Sequence, residues 1–212
     1  MAVKVKVCGM RHESDIGLAN DLRPDYVGFV FAPGSRRFIA PEHAGRLRAE
    51  LREGIKAVGV FVNEPLDAVG MCADVARLDA VQIHGNETEE YICALREYVR
   101  CPIIRAFRVT GQATVDRAVL SSADYIMFDG GAGDGKTFDW SFLRTVKRPY
   151  FLAGGLTPEN VGLAMDITPA PYALDVSSGV EINRSKDYRK MMQFIAGVRN
   201  FRKRDGTLAK TK

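Results

Sequence analysis

A single (β/α)8 TIM barrel is the fold class this sequence predicts, and three observations predict it. Short apolar strands recur eight times at near-even spacing, with helical segments between them and no break in the alternation. A chain of 212 residues accommodates eight such units around one core. Two glycine turns follow the last two strands, where a parallel barrel holds phosphate. An open doubly wound sheet is the structural rival.

Strand starts fall near Val3, Tyr26, Lys56, Asp79, Ile103, Asp124, Tyr150 and Tyr172. The first strand ends Val7-Cys8-Gly9-Met10. The second runs Val27-Gly28-Phe29-Val30-Phe31 into a loop that ends Ser35-Arg36-Arg37-Phe38. The third ends Phe61-Val62-Asn63, the fourth Gln82-Ile83-His84-Gly85, the fifth Arg105-Ala106-Phe107 and the sixth Met127-Phe128-Asp129. Pro41-Glu42 and Pro158-Glu159 read as helix starts, with proline and an acid in the first turn. Leu66, Val69, Ala73 and Ala76 form one apolar helix face. Tyr188, Met191, Met192, Ile195 and Val198 form another, which would dock the last helix on the barrel. The barrel is expected over 1–198, followed by a basic tail over 199–212 that frays.

Composition excludes several classes of function. The hydrophobic fraction of 46% and charged fraction of 26% are ordinary for a soluble globular chain. There is no signal-peptide pattern and no apolar run long enough to span a membrane, so a cytoplasmic protein is expected. The net charge of +4 comes from the tail, since Arg199 to Lys212 holds six Lys/Arg against one Asp. A near-neutral body argues against nucleic acid as a partner. Cys8, Cys72, Cys93 and Cys101 make no C-x-x-C pair and no zinc spacing, so free thiols and no metal are expected. Cys72 and Cys93 lie in helical patterns and read as small core residues.

The glycine turns carry the ligand class. The first is Leu152-Ala153-Gly154-Gly155-Leu156 and the second Asp175-Val176-Ser177-Ser178-Gly179-Val180-Glu181. Glycine bares backbone N–H groups for an anion, and Ser178 with Glu181 has the spacing of a capping box that opens a helical turn. Gly154, Gly155, Ser177, Ser178 and Gly179 are the expected phosphate-binding residues, so the partner is a phosphorylated small molecule. In this fold chemistry lies at the C-terminal ends of strands. Cys8 and Asp129 come from opposite sides of such a barrel, and a thiol with a carboxyl group makes a base/acid pair for proton transfer. His84 and Asp175 would line the same site. One pattern misleads: Gly130 to Thr137 satisfies G-x-x-x-x-G-K-[ST]. However, Phe138-Asp139-Trp140 follows in place of a long helix, so the segment reads as a loop with Asp139 capping a short helix.

Taken together, these strand ends resemble the phosphoribosylanthranilate isomerase family of tryptophan biosynthesis. The likeness runs from Lys6-Val7-Cys8-Gly9 to Lys186-Asp187. It includes Gly28-Phe29-Val30-Phe31, Val81-Gln82-Ile83-His84-Gly85, Gly135-Lys136-Thr137-Phe138-Asp139-Trp140 and both glycine turns, in order. Each piece is weak alone, whereas the ordered set is highly specific. The resemblance implies an Amadori rearrangement with Cys8 as general base and Asp129 as general acid, no cofactor, and a monomer or homodimer. It implies that Arg37 holds the substrate carboxylate, with Arg36 next to it as the alternative. The chain departs from the family in a short loop after Asp129 and in Glu181-Ile182-Asn183-Arg184-Ser185, where a Pro-Gly-like turn is usual. A histidine-pathway-type isomerase, with an aspartate where Cys8 stands, and a non-catalytic phosphate-binding barrel are the alternatives.

Overall fold

Eight parallel strands close on themselves in chain order in the computed structural model, which describes residues 2–131 and 137–201. They are β1 (Lys4–Cys8), β2 (Tyr26–Val30), β3 (Lys56–Phe61), β4 (Ala80–Ile83), β5 (Ile103–Arg108), β6 (Tyr125–Asp129), β7 (Tyr150–Ala153) and β8 (Ala173–Val176). Every expected strand is present, and each start lies within one residue of its expected position. β1 pairs with β8, with Lys6 opposite Asp175, and this pairing closes the ring. The open-sheet rival is thereby excluded.

Helices α1 (Glu13–Leu22), α2 (Pro41–Ala49), α3 (Leu66–Val75), α4 (Glu89–Leu95), α5 (Gln112–Ala118), α6 (Val161–Met165) and α7 (Tyr188–Arg199) cover the outside. A 3-10 helix over Trp140–Thr145 takes the place of a helix between β6 and β7, and Asp139 caps it by accepting the N–H of Ser141. Pro41 opens α2 as expected, whereas Pro158-Glu159 sits in a turn ahead of the short α6. On α7 the buried face is Met191, Phe194, Ile195 and Val198, while Tyr188 and Met192 are exposed. The stripe is rotated from the expected one because Phe194 offers more apolar area to the barrel than either. Cys93, expected in a core, is exposed on α4, and Cys72 is half-buried.

Strand residues alternate between two cores, as a closed sheet requires. Outward residues such as Val5, Val7, Val27, Phe29, Val81 and Leu174 pack under the helices. Inward residues Tyr26, Val58, Ala80, Ile104, Met127, Phe151 and Ala173 plug the lower barrel. Higher up, the inward positions become polar or small, with Lys6, Cys8, Gly28, Gln82, Asp129 and Asp175. That change opens the upper face to solvent and ligand. Beyond β8, a short 3-10 turn (Ser178–Val180) leads into a hairpin of β9 (Glu181–Ile182) and β10 (Ser185–Lys186). Asn183 and Arg184 take φ of 51° and 68°, the left-handed pair of a two-residue hairpin turn. Residues 132–136, which carry most of the G-x-x-x-x-G-K-[ST] match, and the tail from 202 onward lie outside the described residues.

Candidate active site

A cavity of about 620 Å³ opens at the C-terminal ends of the strands. Cys8, Asp129, Arg37, Gly154, Gly155, Ser177, Ser178, His84 and Asp175 all line it. Thus nine of the ten expected site residues share one wall-to-wall space, although they come from β1, β6, β8 and the segments that follow β2, β4, β7 and β8. Gly179 stands behind the wall. A β-carbon there would collide with the Leu156 carbonyl oxygen, so its glycine lets the turn after β8 press against the turn after β7. Gly154 and Gly155 have φ of 87° and 65°, which glycine adopts without strain. Ser178 begins the 3-10 turn, but it forms no capping box with Glu181. The Glu181 carboxylate turns away and pairs with Arg37 and Lys186.

Cys8 lies at the end of β1 and is 9% exposed. Below it, Lys6 is fully buried with its ammonium 3.1 Å from Asp175 Oδ1. Burial alone would strip this proton, but Asp175 and Cys8 outweigh it and hold the Lys6 pKa above the ordinary value. The thiol itself is pushed up by burial, against the pull of the Lys6 and Lys186 ammonium groups. Ser177 ties the turn after β8 to this strand, its Oγ donating to the Cys8 carbonyl at 3.0 Å.

Asp129 ends β6. Its Oδ1 accepts the Gly131 N–H at 2.9 Å, and its Oδ2 lies 3.1 Å from His84 Nε2. A carboxylate only accepts, so in neutral His84 the proton sits on Nε2. Nδ1 then accepts from Gln82 Nε2 at 3.0 Å. Burial would raise the Asp129 pKa, but the His84 hydrogen bond and charge and the Gly131 N–H together hold it below the ordinary carboxylate value. In the free protein, therefore, the proton of the pair sits on sulfur. The two pKa values are thus pushed apart.

Arg37 rides on the loop after β2, which is folded back by the Ile39 N–H on the Val30 carbonyl and by Ser35 Oγ accepting the Arg37 N–H. The Arg37 side chain lines the cavity, whereas that of Arg36 is 49% exposed and outside the lining. Reasoning from sequence missed Lys6, Gln82, Arg108 and Glu181. Lys6 and Gln82 did leave a signal, as polar residues at inward positions of apolar strands. Arg108, at the cavity end of β5, follows the same alternation.

Comparison with known proteins points to one family. The family model for N-(5'-phosphoribosyl)anthranilate isomerase matches residues 5–197. The N-(5'-phosphoribosyl)anthranilate isomerase of Caldanaerobacter subterraneus subsp. tengcongensis is 43% identical over 204 residues, covering 93% of this chain and 98% of its own. The crystal structure of phosphoribosyl anthranilate isomerase from Thermotoga maritima is 39% identical with a TM-score of 0.86, covering 94% of this chain and 100% of that one. Another crystal structure holds a phosphoribosyl anthranilate isomerase in complex with reduced 1-(o-carboxyphenylamino)-1-deoxyribulose 5-phosphate. It is 38% identical with a TM-score of 0.84, and covers 94% of this chain and 100% of its own.

Proposed function

The chain belongs to the phosphoribosylanthranilate isomerase family, and from that premise we propose that Cys8 is the general base and Asp129 the general acid of its Amadori rearrangement. The substrate is N-(5-phospho-β-D-ribosyl)anthranilate and the product 1-(2-carboxyphenylamino)-1-deoxy-D-ribulose 5-phosphate. The observation that carries the reading is that a thiol and a carboxyl group from β1 and β6 line one cavity, together with a guanidinium on one loop and the two glycine turns. The relative bound to the reduced product skeleton supports that ligand shape.

The phosphate lies on the N–H groups of Gly154, Gly155 and Ser178, with the Ser177 and Ser178 turn closing around it. Arg37 takes the anthranilate carboxylate. Anchored at both ends, the ribose is held with C2 near Cys8. Asp129 protonates the ring oxygen, the C1–O bond breaks, and the nitrogen lone pair forms an iminium ion. The Cys8 thiolate removes the C2 proton, and the C–H electron pair neutralises the iminium as an enolamine. Tautomerisation then gives the ketone. The substrate nitrogen is the electron sink.

The reactive state carries its proton on Asp129 and none on Cys8. It contains as many protons as the resting thiol/carboxylate state, so it is a minority tautomer of the same protonation level. Its share is therefore independent of pH between the two pKa values. Loss of anthranilate-type fluorescence on adding freshly made phosphoribosylanthranilate tests the reading, with Cys8→Ser and Asp129→Asn as comparisons. Rapid wild-type turnover with kcat lowered more than about 1,000-fold in both folded variants supports the assignment. Retained turnover in either variant removes that residue from its role.

A further inference from the structure

We infer that Glu181 is a positioning residue that fixes one edge of the Arg37 guanidinium and leaves the other edge free for an aromatic carboxylate. The inference rests on Arg37 as the carboxylate anchor. Arg37 Nε donates to Glu181 Oε1 at 2.9 Å, and Nη2 donates to Oε2 at 3.0 Å. This side-on fork uses two of the five guanidinium N–H bonds. Among the described residues, Nη1 and the second Nη2 hydrogen remain as a second fork of matching geometry.

The surroundings fix the group that makes the first fork. Glu181 and Lys186 face each other across the β9–β10 hairpin. Lys186 Nζ lies 2.9 Å from Glu181 Oε1 and 3.1 Å from the Ser177 carbonyl, and Ser177 Oγ holds the Cys8 carbonyl. The Arg37 stem crosses directly over Gly9, where a β-carbon would collide with Arg37 Cδ. One chain of contacts thus ties the carboxylate-binding arginine to the backbone of the general base.

Charge points the same way. Glu181 is shared among Arg37, Lys186 and, at 3.4 Å, Arg36, so it does not cancel Arg37 alone. Besides its ion-pair energy, part of which desolvation offsets, the Glu181 carboxylate gives the site a fixed Arg37. Its gain here is preorganisation. An unanchored arginine would lose rotamer freedom at each binding event, and a clamped one has already lost it.

The test compares two ligands by titration calorimetry: reduced 1-(o-carboxyphenylamino)-1-deoxyribulose 5-phosphate and its phenylamino counterpart without the carboxylate. Wild type should prefer the carboxylate form by about 100-fold, and Glu181→Gln should cut that preference about tenfold. Affinity for the phenylamino ligand should stay within about twofold, which excludes general loosening. In turnover, KM should rise while kcat changes little. If Arg37→Met loses the preference and Glu181→Gln keeps it, the inference is overturned and the Arg37 reading survives. If wild type shows no preference, the Arg37 reading falls and the inference falls with it. Equal weakening of both ligands in Glu181→Gln also overturns the inference, since it marks a structural role.

Discussion

Gly28 leaves empty the space that the Cys8 sulfur fills: a β-carbon at position 28 would stand 2.6 Å from Sγ. The two residues are register partners on β1 and β2, so the contact is fixed by strand pairing rather than by a loop. The Cys8 Cα stands 3.1 Å from the same point and belongs to a paired strand, so the side chain is what must yield. Gly28→Ala should therefore push the sulfur off its line to C2. We expect kcat/KM to fall at least about tenfold and stability to drop by about 1–3 kcal/mol through overpacking. Steady-state kinetics beside a urea titration would separate the two effects. Unchanged kinetics would mean that the thiol position is not critical.

The resting protonation of the pair can be read directly. Burial holds the Cys8 thiol above its ordinary pKa, and His84 with Gly131 holds Asp129 below its own. The difference spectrum at 240 nm between wild type and Cys8→Ser should then show no thiolate at neutral pH. Its inflection should lie on the alkaline side of an ordinary cysteine. Between the two pKa values kcat/KM should be flat, because the share of the reactive tautomer does not change there. A thiolate signal at pH 7 would contradict this resting state.

Much of this was legible in the sequence because strand alternation and chain order fix a barrel almost completely. Once eight βα units close, Cys8, His84 and Asp129 must reach one face, and the positions alone say so. Glu181 was not legible in the same way. Its spacing from Ser178 has the form of a capping box, but the turn is too short to need one, and the hairpin aims the carboxylate at a residue 144 positions earlier. Gly28 was silent for a similar reason, since a strand glycine gives no hint of which atom fills its gap until register is known. Opposed pKa shifts depend on burial and on partners several strands away, which spacing does not encode.

His84 bears on the proposed acid. Its Nε2 lies 3.1 Å from Asp129 Oδ2 and is the largest influence drawing that carboxyl group down. Replacing it, as in His84→Asn, should raise the Asp129 pKa. The acid-side fall in kcat/KM should then begin at higher pH than in wild type. The limb lies in the carboxylate range, so the pH series must run down to about 3. The phosphate ionisation at about 6 is common to both enzymes and cancels in the comparison. An unmoved acid limb would detach His84 from the acid.

Gly179 supports the proposed phosphate site from behind. A β-carbon there would collide with the Leu156 carbonyl oxygen, so alanine must separate the turns after β7 and β8. Gly179→Ala should weaken competitive inhibition by inorganic phosphate about tenfold while kcat changes less. Gly162 is the control, because a β-carbon there meets nothing within 4 Å. Equal phosphate inhibition in both variants would place the anion elsewhere.

Glu181 also sets the acid stability of the fold. Burial works against its charge, but hydrogen bonds and charges from Arg37 and Lys186 draw its pKa down from 4.5 to about 2. A carboxyl group with a depressed native pKa contributes stability that is full above its unfolded value and is lost as pH falls through its native value. On that basis Glu181 contributes on the order of 3 kcal/mol at neutral pH. Glu181→Gln lacks this contribution and retains every other titrating carboxylate. Thermal melts should therefore show wild type well above the variant at pH 6. The gap should begin to narrow below about pH 4.5 and close towards pH 2. A gap that stays constant down to pH 3 would mean that neutral packing, and not the ionised clamp on Arg37, holds the hairpin in place.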